Sequence, residues 1–72
     1  GVLFPSGGSF SIHGYNGDIR SLLKIGDVLS INNSRYWVVE YVGTTKVKLM
    51  NESGQMVNNI PFANFFRVVK LS

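Results

Sequence analysis

The chain of 72 residues has no cysteine and a single histidine, His13, so neither a disulfide nor a Cys/His-ligated structural metal is available to staple it. It has two prolines, no low-complexity tail, and no apolar run near the roughly 18 residues that a membrane span needs. Charge is scarce as well: Asp, Glu, Lys and Arg make up 15% of the residues, against roughly 25% in average globular chains. A surface with few like charges resists association less than a heavily charged one, and this leans toward assembly. The opening Gly1-Val2-Leu3-Phe4-Pro5 has no basic region and no sustained apolar one, so no secretory signal is expected; beginning without Met, the chain is expected to be trimmed, processed or excised from a longer one.

The same scarcities argue against catalysis. One histidine, four dispersed acids (Asp18, Asp27, Glu40 and Glu52) and no thiol leave little with which to move a proton or attack a carbonyl. A site built from His13, Asp18 and one of the eight serines would also need a shaped pocket and an oxyanion hole, which a barrel this small rarely encloses. Gly7-Gly8 does not continue into a phosphate-binding pattern. No catalytic residue, metal ligand, cofactor or small-molecule substrate is therefore expected.

What is present is a 44% hydrophobic content with nine aromatic residues, enough to fill one small core or to cover an interface. A domain of this length buries only about 60% of its unfolded surface, so its margin of stability is thin. Five of the eight glycines fall in the first 17 residues, and this stretch reads as an extended arm and loop, with Ser9-Phe10-Ser11-Ile12 alternating as a short strand would. Ile19, Leu22 and Leu23 suit one helical turn within Asp18 to Lys24.

From Ile25 onward, short β-branched and aromatic runs are separated by turn residues, the pattern of a small β-barrel over residues 18–72. Strand 27–32 points Leu29 and Ile31 inward, and Asn32-Asn33-Ser34 predicts a tight reversal. Strand 35–42 carries Trp37, Val39 and Tyr41 on an inward face and Tyr36, Val38, Glu40 and Val42 on the other, so it is apolar on both sides. After Gly43-Thr44, strand 45–50 turns Val47 and Leu49 in and Lys46 and Lys48 out. Asn51-Glu52-Ser53-Gly54 predicts a hairpin turn, Gln55 to Ile60 a fifth short strand, Pro61-Phe62-Ala63-Asn64 a 3₁₀ turn, and Phe66 to Leu71 the closing strand.

Two of these segments resemble a known family. Leu23-Lys24-Ile25-Gly26-Asp27-Val28-Leu29-Ser30-Ile31 resembles the Gly-Asp turn leading into the second strand of SH3 and SH3-like domains, and Ile60-Pro61-Phe62-Ala63-Asn64-Phe65 resembles the 3₁₀ segment before their last strand, with one extra residue. Trp37 falls where an SH3 domain carries its binding tryptophan. The resemblance implies an all-β, five- or six-stranded SH3-like barrel, here with the Gly-rich arm of residues 1–17 and a 3₁₀ turn before the last strand. It also implies a shallow peptide groove from Tyr15, Trp37, Pro61 and Phe65, although Ser9 to Tyr15 lacks the Ala-Leu-Tyr-Asp-Tyr-like strand and acidic loop of proline-binding members.

Three non-enzymatic functions follow. The first is assembly with protein subunits, self or other, through Val2, Leu3, Phe4, Phe10, Tyr36, Val38 and Val42, which together are more apolar surface than one small barrel easily covers. Small phage head, neck and decoration proteins share this style, which suggests a virion or cytoplasmic location. The second is nucleic-acid binding through Arg35, Lys46, Lys48 and Arg67, in keeping with a net charge of +3 and a pI near 9.6. Against it, the aromatic residues are expected to point inward. The third is peptide binding as an adaptor module.

Overall fold

The computed structural model describes residues 1–60 and the strand 66–69; the 3₁₀ turn expected at Pro61 to Asn64 and the chain beyond Val69 lie outside the described residues. The architecture is all-β. Strands β1 (Leu3–Ser6), β2 (Ser9–Ile12), β3 (Val28–Ile31), β4 (Ser34–Val42), β5 (Lys46–Met50) and β6 (Phe66–Val69) form one antiparallel sheet in the order β1-β2-β5-β4-β3-β6. Among the described residues a single 3₁₀ turn, Ile19–Ser21, interrupts the strands, within the stretch expected to be helical. Among the described residues β1 and β6 are the two edges, and the sheet does not close on itself.

The glycine-rich arm is corrected. Gly7 and Gly8 stand at φ +59° and +89°, the left-handed region that a two-residue hairpin loop needs at both positions, and they join β1 to β2. Residues 1–17 are thus not a pendant arm: β1 pairs with β2, and β2 pairs with β5 through Phe10 and Val47. The same turn chemistry recurs where it was expected, at Asn32 and Asn33 (φ +53° and +65°), between β3 and β4.

The fifth strand is also corrected. Gln55 to Ile60 makes one bridge, Met50 with Met56, and Val57 N–H donates to the Leu49 carbonyl, but the run is not a strand. Asn59 Oδ1 accepts from the N–H of Ile60 at 2.9 Å, so the carboxamide takes an amide that a ladder would have used.

One core lies against one face of the sheet. It gathers Leu3, Phe10, Ile19, Leu23, Leu29, Ile31, Val38, Val47, Leu49 and Ile60, with Ile12, Tyr36, Tyr41 and Val57 packed against it. Leu29, Ile31, Val47 and Leu49 point inward as their alternation required. Trp37 and Val39 do not. In β4 the inward residues are Tyr36 and Val38, and a bulge at Val39 resets the phase, because Val38 pairs with Leu49 while Glu40 pairs with the very next residue, Lys48. Tyr41 then returns to the core side, where its hydroxyl donates to the Leu23 carbonyl at 2.8 Å.

The β1 edge carries a proline at a particular place. His13 N–H donates to the Val2 carbonyl at 2.8 Å, and the register pairs Phe4 with Ser11 and Ser6 with Ser9. Antiparallel alternation then aims the main-chain polar groups of Val2, Phe4 and Ser6 at β2 and those of Leu3 and Pro5 outward. The outward N–H that Pro5 would supply does not exist.

Candidate functional site on the outer face of the sheet

The face opposite the core is where the chemistry gathers. Side chains alternate along each strand, so residues next to a core residue stand on the other side. On β5 these are Lys46, Lys48 and Met50; on β4, Arg35 and Trp37 before the bulge and Glu40 and Val42 after it; on β3, Val28 and Ser30; on β1, Phe4. The ladder aligns them in rows. Trp37 sits opposite Met50 on one side and Val28 on the other, and Val28 faces Val69. Met56 extends this apolar row past Met50. Ser30 lies between Arg35 and Arg67 in register. Lys48 lies opposite Glu40, and Lys46 opposite Val42.

Three described cations therefore share one face with a half-buried tryptophan. Lys48 is the one with a carboxylate partner among the described residues, Glu40 at 3.5 Å, and that pair is solvent-exposed. Of the other acids, Asp18 and Asp27 are engaged away from this face, and Glu52 stands beside Arg35. Asp27 accepts the Lys24 N–H at 2.9 Å in the Gly26 turn, and Glu52 accepts the Arg35 N–H at 3.2 Å. Asp18 caps the 3₁₀ turn and holds Arg20 at 2.7 Å; the hydrogen bonds from Arg20 lower its carboxyl from 3.8 to about 2. A polar cleft of about 220 Å³ lies beside Arg35, lined also by Ser34, Tyr36, Asn51, Glu52 and Ser53.

At the far end of the same face stands a second aromatic feature. Phe4 is 57% exposed, and its ring stacks on His13 with centroids 6.0 Å apart and planes at 22°. The pair rims a shallow hollow of about 430 Å³ with Val2, Leu3 and Pro5.

The sequence-predicted sites fare differently. Of the assembly surface, Leu3, Phe10 and Val38 are spent in the chain's own core and Tyr36 packs against it; Phe4 and Val42 stay exposed and Val2 half-buried. That correction follows from the hairpin, which brings β1 and β2 over the core, and from the bulge, which inverts the first half of β4. Of the nucleic-acid set, Arg35, Lys46 and Lys48 come together on the outer face, and Arg67 takes the register position beside Ser30. Of the peptide groove, the two described members stand apart. Tyr15 bonds the Asp18 carbonyl at the end of the sheet where Ile19 meets Thr44, whereas Trp37 stands in the opposite half of β4; Pro61 and Phe65 lie outside the described residues.

Sequence reasoning missed Phe4, His13 and Met50 as members of this face. The signal was Gly7-Gly8 between two short runs, which reads as a hairpin loop and would have set Phe4 beside Ser11. No group of three or more metal-ligating side chains occurs among the described residues, and no helix in them is long and apolar enough to cross a membrane. Compared with protein-family models, curated proteins and solved structures, the chain matches none.

Proposed function

We propose that the chain is a non-enzymatic binding module that holds single-stranded nucleic acid against the outer face of its sheet. One observation carries this reading: Arg35, Lys46 and Lys48 flank Trp37 and Met50 on a face that the core does not use. Phosphates need cations at intervals and bases need flat apolar surfaces, and small β-barrels meet both needs with basic stripes interleaved with stacking aromatics. The sequence objection, that the aromatic residues point inward, loses force once Trp37 and Phe4 stand on the outer side. The SH3-like barrel is part of the same proposal. Its support is that Leu3 and Phe10, near one edge of the sheet, share a cluster with Leu29 and Ile31, near the other. A curled sheet would wrap its concave face around such a continuous cluster.

The test is binding of fluorescent oligothymidylate or oligouridylate across a salt series. Three phosphate contacts give a salt slope of about −2 on log–log axes, so affinity falls about 15-fold between 50 and 200 mM salt. A Lys46→Glu, Lys48→Glu variant loses binding. Glu40→Gln tightens it about two- to three-fold, because an exposed ion pair holds Lys48 only weakly and its removal frees the ammonium for phosphate. Salt-independent binding, or a Glu40→Gln variant that binds more weakly, sinks the reading.

A second reading, assembly with protein subunits as in a virion, is favoured by a separate observation. Leu22 and Ile25 are 49% and 52% exposed on either side of the buried Leu23, away from the basic face. Light scattering on the wild type and on a Leu22→Ser, Ile25→Ser variant tests it: a multimer that the variant dissolves supports this surface, and a monomer in both cases rules out self-assembly through it.

A further inference from the structure

The outer face carries two aromatic features, and the lysines lie between them. Phe4 pairs with Ser11, and one step along the β2–β5 ladder from Phe10 and Val47 brings Ser11 beside Lys46. Trp37 pairs with Met50, at the other end of β5. From β1 to β4 is three strand spacings, about 14 Å, and from Lys46 to Met50 is about 13 Å along the strand, so the two aromatic features lie about 20 Å apart across the sheet.

We infer that the stacked Phe4–His13 pair is a second base-stacking platform, and that the ligand is a strand long enough to reach it from Trp37 past Lys48 and Lys46. This inference rests on the single-strand reading of the outer face. Three features of the pair support it. Phe4 is more than half exposed, whereas Phe10, on the paired strand, is buried. The His13 ring lies nearly parallel to that of Phe4, at 22°, so the pair offers flat aromatic surface of the kind a base covers. Lys46, which the register sets beside Ser11, has no carboxylate partner among the described residues, so a phosphate arriving there displaces no ion pair. A span of about 20 Å corresponds to on the order of four nucleotides, at the short end of what single-strand-binding barrels occupy.

The experiment is a length series of oligothymidylates, from two to ten nucleotides, titrated against wild type, Phe4→Ala, Phe4→Tyr and Trp37→Ala. Wild-type affinity should climb until the strand spans both platforms and then level off. Phe4→Ala should lose about five-fold or more for the eight-nucleotide strand, the effect of one stacked base, and leave the two-nucleotide strand unchanged, with Phe4→Tyr restoring the loss. Because Phe4 is exposed, circular dichroism of Phe4→Ala should match wild type. If the eight-nucleotide strand binds and needs Lys46 and Lys48, yet Phe4→Ala binds it as tightly as wild type, the second platform is overturned and the outer face survives. If no oligonucleotide binds, the outer-face reading falls and the platform with it.

Discussion

The two faces of the sheet are built from different materials, though they alternate residue by residue along the same strands. On one side Leu29, Ile31, Val38, Val47 and Leu49 are each 0% exposed. On the other stand Trp37, Val39 and Met50, all half-buried, interspersed with Arg35, Lys46, Lys48 and Glu40. The core side uses aliphatic side chains of fixed shape, which pack without voids. The outer side uses a large flat ring, a flexible thioether and long cationic stems that lie along apolar surface with their heads in water. The difference separates the side that holds the fold from the side on which the proposed ligand would lie.

That separation can be broken most directly by cutting into both faces. Phe10→Ala should cost about 3–5 kcal/mol, most of the stability of a domain this small, and leave the chain largely unfolded in a urea or thermal titration. Trp37→Ala should cost clearly less and keep a cooperative transition. Equal losses would mean that the outer row belongs to a second core.

A smaller effect is expected from deleting Val39. Without it, Val38, Glu40, Tyr41 and Val42 run as a regular strand with Val38 and Tyr41 still inward and Glu40 still outward, since the ladder to Leu49 and Lys48 is already continuous around it. The deletion should cost on the order of 1 kcal/mol, the local twist lost with a bulge, and retain the circular-dichroism spectrum. Collapse of the fold would show that the bulge shapes the sheet rather than merely correcting its phase.

The smallest effect concerns Asp18, at the 3₁₀ turn and away from both faces. Its carboxyl titrates at about 2 when folded and near 3.8 otherwise, so its contribution is complete above about pH 4 and is lost as the pH falls toward 2. Asp18→Asn should be slightly less stable than wild type above about pH 4 and should converge with it as the pH falls toward 2. A variant whose stability falls with acid as steeply as wild type would remove Asp18 from the account.

Much of this fold is legible in the sequence because local chemistry agrees with it. Lys46 to Met50 alternates cleanly, Asn32-Asn33 tolerates the left-handed backbone, and Asn51 to Gly54 closes its turn with Gly54 at φ +78° and the Gly54 N–H on the Asn51 carbonyl. Strand β4 defeats simple alternation because a bulge leaves no mark in a run that is apolar at every step from Tyr36 to Val39. Register with β5 decides the phase there, and register is a property of two strands. The outer face was half legible for the same reason. Lys46 and Lys48 could be placed together from one strand alone, but Arg35, Trp37 and Phe4 join them only through pairings that no single segment specifies.

Pro5 bears on what happens when many copies crowd together. A module that lines up along a polymer raises its own local concentration, and neighbours then meet edge to edge. An exposed β-strand edge in that setting can seed fibrils, each chain templating the next through its main-chain donors. On β1 the outward donor at position 5 is a ring carbon instead, so that edge offers an incoming strand an interrupted ladder. A second strand arriving at β1 would find the Leu3 N–H but no donor at position 5, and so a weaker template than an unbroken edge.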